Sequence, residues 1–287
     1  MKNWMYENLH EGFNSGFRAE KVLIDIKTDF QHLVVFENAL FGKVMLIDDV
    51  LQTTEADEYI YHESITHLPI FAHGEVKRVL VIGGGDGGTA EEVLKHNSIK
   101  HITLVEIDPT VIEISKKYLR CICKDAFEDK RLEVVICDAR KFVKNYCGLP
   151  YDLIIIDSTD PIGPAVSLFS ESFYIDCKNC LATGGILITQ NGVPFLQKTE
   201  LCNTLKVFHK LFSDSTCYIA NIPTYVGGPM AFGWGTDKLN TRKTSKLTIY
   251  NRLKMSKIIL KHYNADWHKS AFILPNYIKD LTINKNF

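Results

Sequence analysis

The stretch RVLVIGGGDGGTAEEVLKH, residues 78–96, decides the fold of this chain. Its first residues form a short apolar run, which is typical of a strand buried on both faces. Gly83, Gly85 and Gly88 then follow in G-x-G-x-x-G spacing, and the apolar residues of TAEEVLKH have the spacing of a helix. A strand that passes through a glycine-rich turn into a helix is the opening unit of a Rossmann-like sheet.

The same alternation of apolar runs and amphipathic segments continues beyond this unit. Four further strands are predicted at HITLVEID (101–108), LEVVICDA (132–139), YDLIIIDS (151–158) and GGILITQN (184–191). The helices are predicted at PTVIEISKKYL (109–119), RKFVKNY (140–146), SESFYIDCKNCL (170–181) and FLQKTELCNTLKVFHKLF (195–212). This pattern predicts an α/β fold with a doubly wound parallel sheet, to which STCYIANIP (215–223) and PMAFGWGT (229–236) add edge strands.

The residues before the sheet have a different pattern. Four short runs alternate apolar and polar residues, which predicts a small antiparallel sheet: KVLIDIKTD (21–29), HLVVFEN (32–38), KVMLIDD (43–49) and VLQTT (50–54). The spacing changes to helical in EADEYIYHESITHLPIF (55–71). We therefore predict two domains, an N-terminal β-strand domain over 1–54 and a Rossmann-like catalytic domain over 55–287.

Composition limits the partners of the chain. Its 287 residues are 46% hydrophobic and carry a net charge of −1, as in an ordinary soluble globular protein. A near-neutral chain has no overall field to hold nucleic acid or an anionic membrane, so neither is expected as a partner. The start, MKNWMYENLHEGF, has no signal-peptide pattern, and no apolar run is long enough for a membrane span. We expect a cytoplasmic location.

Eight cysteines raise the question of a metal or disulfide framework. Cys177 and Cys180 have C-x-x-C spacing, but they lie in a predicted helix, without a second pair of the kind that a zinc site needs. We expect reduced cysteines that fill apolar space.

Acidic residues follow several predicted strands, at the sheet edge where α/β folds bind ligands. Glu106 ends the second strand, where a carboxylate takes ribose hydroxyls, and this favours a nucleoside. Asp86 inside the glycine turn would repel a pyrophosphate, which argues against NAD, and no Lys-Ser/Thr follows the glycines for ATP. A nucleoside with a positive charge, such as S-adenosylmethionine or a derivative, suits this turn.

The other strand-end acids are Asp138, Asp157 and Asp160, together with Asp108, which precedes Pro109 and is expected to cap the next helix. Carboxylates that converge on one crevice favour an organic cation, with Mg²⁺ as the competing ligand. The segment DSTDPIGPAVSLF (157–169) is predicted to start as an irregular loop over this crevice, because its Pro and Gly residues prevent a helix directly after the strand.

The combination of GGGDGG (83–88), VEID (105–108) and DSTDPIGP (157–164) resembles the spermidine synthase family, the polyamine aminopropyltransferases. FENALFGKVMLIDDVLQTTEADEYIYHE (36–63), QNGVPFLQ (190–197) and IPTYVGGPMAFGWGT (222–236) are similar to other segments of that family. The resemblance implies transfer of the aminopropyl group of decarboxylated S-adenosylmethionine to putrescine, which gives spermidine and 5'-methylthioadenosine. It also implies a homodimer (or tetramer), with the donor as a co-substrate, no cofactor and no metal.

The resemblance also implies roles for residues that match the motifs. Asp157 corresponds to the proton acceptor, with Asp160 as its partner and Ser158 and Thr159 between them. Glu106 corresponds to the ribose-binding acid. The other implied substrate contacts are Asp138 and Ala139 near adenine, Gln31 and Pro164 near the methylthioadenosine part, His62 and Asp86 near the aminopropyl group or diamine, and Tyr61 and Tyr225 along the channel. Glu91 and Ala139 depart from the common Arg and Gly of the family.

Two alternatives remain at this stage: a methyltransferase that uses S-adenosylmethionine on a diamine, and a polyamine-binding module without activity. The sequence leaves the acceptor open among putrescine, cadaverine, agmatine and spermidine. It also leaves open whether Asp157 takes the proton itself or relays it to water.

Overall fold

The computed structural model describes residues 3–283, except the side chains of Asn3 and Pro164. The N-terminal part forms two small antiparallel sheets: a hairpin of β1 (Asn3–Tyr6) and β2 (Gly16–Ala19), and a four-stranded sheet of β3 (Lys21–Lys27), β4 (His32–Asn38), β5 (Gly42–Ile47) and β6 (Val50–Thr54). The predicted antiparallel sheet is confirmed. The domain boundary at residue 54 falls between β6 and the first helix and stays a prediction.

A seven-stranded sheet forms the larger part of the molecule. Its strands are β7 (Arg78–Gly83), β8 (His101–Glu106), β9 (Leu132–Ile136), β10 (Tyr151–Asp157), β11 (Leu181–Gln190), β12 (Asp214–Ala220) and β13 (Met230–Thr236), in the order β12-β13-β11-β10-β7-β8-β9. The first five are parallel, as predicted. β13 pairs antiparallel with β11 and β12, so both added strands lie at one edge of the parallel sheet.

Helices cover both faces of this sheet. They are α1 (Glu58–His73), α2 (Gly88–Leu94), α3 (Pro109–Tyr118), α4 (Arg120–Cys123), α5 (Ala139–Lys144), α6 (Glu171–Asn179), α7 (Lys198–Leu211), α8 (Lys246–Ser256), α9 (Ala265–Ser270) and α10 (Asn276–Ile283). Short 3-10 helices span Ala126–Glu128, Gly163–Phe169 and Thr241–Lys243. Within residues 3–283, no helix has both the length and the apolar character that a bilayer crossing requires.

Strand order places the crevice between β7 and β10. The chain leaves β7 toward β8 on one side, whereas β10 returns to its other side, so the carboxyl ends of these strands open a gap. Asp108 caps α3 by accepting from the amide of Thr110, as predicted from its position before Pro109. All eight cysteines lie in the described part of the chain and are free, and Cys177 and Cys180 are buried.

The packing of α1 on α2 contains a buried polar network. His67 Nε2 lies 2.8 Å from Glu92 Oε2, and His67 Nδ1 lies 2.8 Å from His96 Nε2. Lys95 Nζ lies 2.6 Å from Glu92 Oε2. Burial opposes the ionisation of Glu92, but its contacts with His67 and Lys95 outweigh burial and lower the pKa to about 2. The network therefore contains a carboxylate whose loss would leave buried donors unpaired.

We expect Glu92→Gln to lower the free energy of unfolding by about 3 kcal/mol at neutral pH, because one partner of a buried ion pair is removed. A carboxyl pKa that is depressed in the folded state stabilises the fold above the unfolded pKa near 4.5, and this stability is lost as pH falls toward 2. Urea unfolding should thus show a difference between variant and wild type that is present at pH 7 and shrinks below about pH 4.5. Glu91→Gln is the control, because Glu91 pairs with the exposed Lys124 and should cost under about 1 kcal/mol. Equal losses in both variants would contradict the role of the network.

Candidate active site

The carboxyl ends of β7, β8 and β10 open into one cavity of about 320 Å³. Met45, Ile47 and Leu51 of the N-terminal sheet form part of its wall, so residues from both parts of the chain enclose it. The 157–169 segment lies over it as predicted, with Ile162 and Leu168 among the lining residues.

The glycine turn after β7 brings three elements into close contact. Gly83 has a φ of 78°, and a Cβ at this position would lie only 2.2 Å from the carbonyl oxygen of Asp157, which is too close for any side chain. A Cβ at Gly88 would lie 2.2 Å from the His62 ring. Side chains at these positions would therefore push β10 and α1 away from the turn, which explains in physical terms why glycine occupies them.

Glu106 lies at the end of β8 and is almost completely buried. Its Oε1 accepts from the backbone amides of Ile107 and Asp108 at 2.8 and 3.0 Å. Burial raises the pKa of Glu106 to about 7, although these two amides favour the ionised form. One carboxylate oxygen is thus fixed by the backbone, and the other is available to accept hydrogen bonds from a ligand.

Asp157 lies at the end of β10, where two hydroxyl groups hold its carboxylate. Tyr61 donates to Oδ1 at 2.5 Å, and Thr89 donates to Oδ2 at 2.7 Å. Burial, and then the charge of Asp86, raise the pKa of Asp157, and these outweigh the opposing charge of His62 and the two hydroxyl contacts. The carboxylate is therefore fixed in orientation and more basic than an exposed aspartate.

Asp86 faces the same space from inside the glycine turn. Its Oδ1 accepts from the amide of Gly88 at 3.0 Å, and its Oδ2 lies 3.3 Å from His62 Nε2. The other ring nitrogen of His62 lies 2.6 Å from Glu58 Oε2. Burial opposes the ionisation of Asp86, but His62 outweighs it and lowers the pKa of this carboxyl. Asp86 is thus a carboxylate at the cavity wall.

A second acidic region lies beyond Asp157 in the cavity. Asp160 accepts a hydrogen bond from Gln197, and burial raises the pKa of Asp160. Gln197 also donates to Glu200. Burial, and then the charge of Asp160, raise the pKa of Glu200 to about 8. Glu7 of the N-terminal segment lines the cavity as well. Asp160 and Glu7 therefore add two carboxyl groups to the cavity wall besides Asp86 and Asp157.

The structure brings together nearly all site residues that the sequence predicted. The following twelve residues line the cavity: Gln31, Tyr61, His62, Asp86, Glu106, Asp138, Ala139, Asp157, Ser158, Thr159, Asp160 and Tyr225. The side chain of Pro164 lies outside the described part of the structure. Asp108 does not line the cavity, since its carboxylate accepts from Thr28 and Gln31 and caps α3.

Sequence reasoning did not select Thr89, Glu58, Gln197 or Glu7. Thr89 directly follows the glycine motif, and Gln197 ends the quoted segment QNGVPFLQ, so both had a local signal. Glu7 had none, because its position depends on the fold of a segment far from the sheet. Glu58 lies four residues before His62, the helical spacing at which side chains meet.

His62, Asp86 and Asp157 each offer one ligand atom within 4.8 Å of the others. These atoms already take part in hydrogen bonds or an ion pair with one another and with Tyr61 and Thr89. A metal would compete with these contacts. The absence of a metal from the reaction stays a prediction. Among the described residues, the cavity wall includes no Lys or Arg.

The fold and the site define a Rossmann-like protein whose cavity, at the carboxyl ends of the parallel strands, is lined by several carboxyl groups. The family model for the spermine/spermidine synthase domain matches residues 58–245, and that for the spermidine synthase tetramerisation domain matches residues 3–55. The chain therefore belongs to the spermine/spermidine synthase family, and it is an aminopropyltransferase.

Similar proteins agree with this assignment. The polyamine aminopropyltransferase of Ruegeria sp. is 50% identical over 97% of this chain and 98% of its own length. That of Pseudomonas syringae pv. tomato is 50% identical over 95% of both chains. A crystal structure of spermidine synthase in complex with the transition state analogue AdoDATO matches with a TM-score of 0.92 at 33% identity, covering 98% of this chain and 94% of that chain.

Proposed function

We propose that this chain transfers the aminopropyl group of decarboxylated S-adenosylmethionine to putrescine, with spermidine and 5'-methylthioadenosine as products. The observation that supports this best is the arrangement of Asp157 and Asp86. Two carboxylates at the end of β10 and in the glycine turn face one cavity whose described wall has no Lys or Arg. Such a site favours a substrate that carries amino groups.

We assign the nucleoside to the side of the cavity that Glu106 and Asp138 line. Glu106 binds the ribose hydroxyls through its free oxygen, and Asp138 and Ala139 contact the adenine. We assign Gln31, which also lines the cavity, to the methylthio part, and the same role for Pro164 rests on the family resemblance alone. Asp86 and His62 then lie toward the aminopropyl arm, while Tyr61 and Tyr225 form the channel wall, with ring centroids 6.1 Å apart.

The nucleophile is a primary amine, whose pKa near 10.4 keeps it protonated at neutral pH. We propose that Asp157 orients this amine, and that the proton leaves through Asp157 or water. Asp160, with Ser158 and Thr159, lies further along the same loop and takes part in binding the acceptor. The raised pKa of Asp157 suits a group that accepts a proton.

In the reaction, the amine nitrogen attacks the methylene beside the sulfonium as the carbon–sulfur bond breaks. The bond electrons go to sulfur, which becomes a neutral thioether, and the nitrogen, which has given up one proton before the attack, becomes the secondary ammonium of the product. Close pairing of a carboxylate with the sulfonium would stabilise the ground state more than the transition state. The acids should therefore hold the ammonium groups, and alignment of the two substrates should supply effective molarity.

We further propose that the chain forms a homodimer or tetramer in the cytoplasm and needs neither nucleic acid nor membrane. Trp4, Tyr6 and Phe13, at the N-terminal hairpin, are 50%, 53% and 45% exposed, which gives a surface for association of subunits. Light scattering on the purified protein tests the oligomeric state.

The test of the function is incubation of the protein with decarboxylated S-adenosylmethionine and, in turn, putrescine, cadaverine, agmatine and spermidine. Mass spectrometry should find an aminopropyl adduct of putrescine and one equivalent of 5'-methylthioadenosine. A methylated amine from S-adenosylmethionine would instead support the methyltransferase alternative. Release of no nucleoside product from either donor would leave only a binding module.

Glu106→Gln is expected to weaken donor binding at least about tenfold, because charge-assisted hydrogen bonds to the ribose are lost. Since the pKa of Glu106 is about 7, donor affinity of the wild type should also fall as pH decreases through 7. The variant should lack this part of the pH dependence. Calorimetric titration with 5'-methylthioadenosine from pH 6 to 8 measures both effects, and unchanged affinity would remove Glu106 from the nucleoside site.

A further inference from the structure

The wall of the cavity has a strong imbalance of charge. Seven aspartate and glutamate side chains line it, and no Lys or Arg does among the described residues. His62 and His10 are the lining groups that can carry a positive charge. Within the described part of the chain, His62 is therefore the cationic group that the structure places beside Asp86.

The position of His62 indicates its protonation state in the empty site. Its side chain is 3% exposed, and its two ring nitrogens approach two carboxylates, at 2.6 Å from Glu58 and 3.3 Å from Asp86. Nδ1 is hydrogen-bonded to Glu58, and Nε2 lies at ion-pair distance from Asp86, so an imidazolium, with a hydrogen on both nitrogens, suits this position better than a neutral ring. Burial lowers the pKa of His62, but Asp86 and Glu58 outweigh burial and raise it well above the ordinary value.

The groups that face His62 come from several elements. Glu58 and Tyr61 lie on its own helix α1, Asp86 lies in the glycine turn, and Asp157 lies at the end of β10. Gly88 of α2 packs directly on the ring and brings no charge.

Two further titratable groups lie near these acids, Lys124 and Cys123. Lys124 is 54% exposed and pairs with Glu91, and it acts on Glu58 through its charge. The thiol of Cys123 faces Asp86, and burial raises the pKa of this thiol to about 11, so it is neutral near pH 8. His62 is thus the charged group that an incoming ammonium at Asp86 would meet.

We propose that His62 is an internal cation that occupies the place of the substrate charge in the empty enzyme and releases its proton when the donor's ammonium group binds Asp86. This inference rests on the proposed function, which places that ammonium at Asp86. Two cations beside one buried carboxylate repel each other, and the imidazolium can lose its charge at lower cost than an alkylammonium.

Glu58 determines which ring nitrogen of His62 keeps its hydrogen after the proton leaves. It keeps a hydrogen on Nδ1, because a carboxylate needs a donor there. The neutral ring then has its lone pair on Nε2, which faces Asp86 and the bound ammonium. His62 thereby changes from a cation paired with Asp86 into an acceptor for the substrate N–H. Proton balance is simple: one proton leaves Nε2 and goes to solvent, and the bound ammonium keeps its three.

Calorimetric titration near pH 8 in two buffers of different ionisation enthalpy gives the number of protons released on binding. We expect decarboxylated S-adenosylmethionine to release roughly half a proton or more per subunit beyond 5'-methylthioadenosine, which lacks the ammonium group. Any proton released by Glu106 through the ribose contact is common to both ligands, so the difference between them isolates the aminopropyl end.

Two variants identify the source of the proton. His62→Gln should abolish the difference while still binding 5'-methylthioadenosine, which shows that it is folded. Asp157→Asn should retain the difference, because Asp157 is not the releasing group. Equal proton release by both ligands in the wild type would overturn the inference. A difference that persists in His62→Gln and disappears in Asp157→Asn would overturn it as well.

Failure of the proposed function gives a separate result. If wild-type protein binds the decarboxylated donor and forms spermidine without the extra proton, only the role of His62 is wrong. If it neither binds this donor nor forms an aminopropyl product, the function is wrong and the role of His62 falls with it.

Discussion

Asp157→Asn is expected to lower kcat by about 10² to 10⁴ while 5'-methylthioadenosine binding changes little. Tyr61 and Thr89 hold the carboxylate at 2.5 and 2.7 Å, and we propose that in this orientation it meets the reacting amine rather than the nucleoside. An amide of the same size still fills the space, but it cannot accept a proton from the amine. The loss should therefore fall on turnover.

Single-turnover and steady-state assays with putrescine measure this effect. Asp152→Asn is the matched control, because Asp152 lies at the opposite end of β10, where its carboxylate accepts from the amides of Lys77 and Arg78. We expect kcat of the control to stay within about twofold of wild type, since it is remote from the cavity. A kcat of Asp157→Asn within about threefold of wild type would exclude Asp157 from handling the proton.

The sheet and the main acids of the site could be predicted because their signals are local. A run such as RVLVI has to be buried, and the glycines that follow it are required by the close approach of Asp157 and His62. Parallel strands place their carboxyl ends at one edge, so Glu106 and Asp157 had to converge there. Asp108 could be distinguished from these site acids, because its position directly before Pro109 is typical of a helix cap.

The remaining parts depend on contacts between distant segments. Thr89 and Tyr61 meet on Asp157 from two helices, and no spacing in the sequence relates either of them to β10. His67 pairs with Glu92 across the α1–α2 packing, 25 residues apart. The three C-terminal helices have no motif, and Glu63 holds that segment by accepting from the amides of Lys261, His262 and Tyr263. Such pairings follow from the assembled fold.

The choice of donor gives the second large expected effect. S-adenosylmethionine differs from the decarboxylated donor by one carboxylate, which the aminopropyl arm would carry toward Asp86 and Asp157. The Asp86 side chain is only 13% exposed. His62 lies 3.3 Å from Asp86, but its ring also contacts the carboxylate of Glu58, so its positive charge is shared between two acids. Like charges at about 4 Å repel by roughly 4 kcal/mol at an effective dielectric constant of 20, which corresponds to about a thousandfold in affinity.

We therefore expect the wild type to bind decarboxylated S-adenosylmethionine about a thousandfold more tightly than S-adenosylmethionine, as measured by calorimetry or by competition with 5'-methylthioadenosine. Asp86→Asn should weaken binding of the decarboxylated donor, because its ammonium loses a carboxylate partner. The same variant should improve the relative binding of S-adenosylmethionine, because a repulsion between two carboxylates is removed.

Asp138→Asn is the control. We propose that Asp138 contacts the nucleoside, where the two donors are identical, so this variant should change both affinities by the same factor. Equal binding of the two donors by the wild type would show that the acids of the cavity do not select the substrate by its charge.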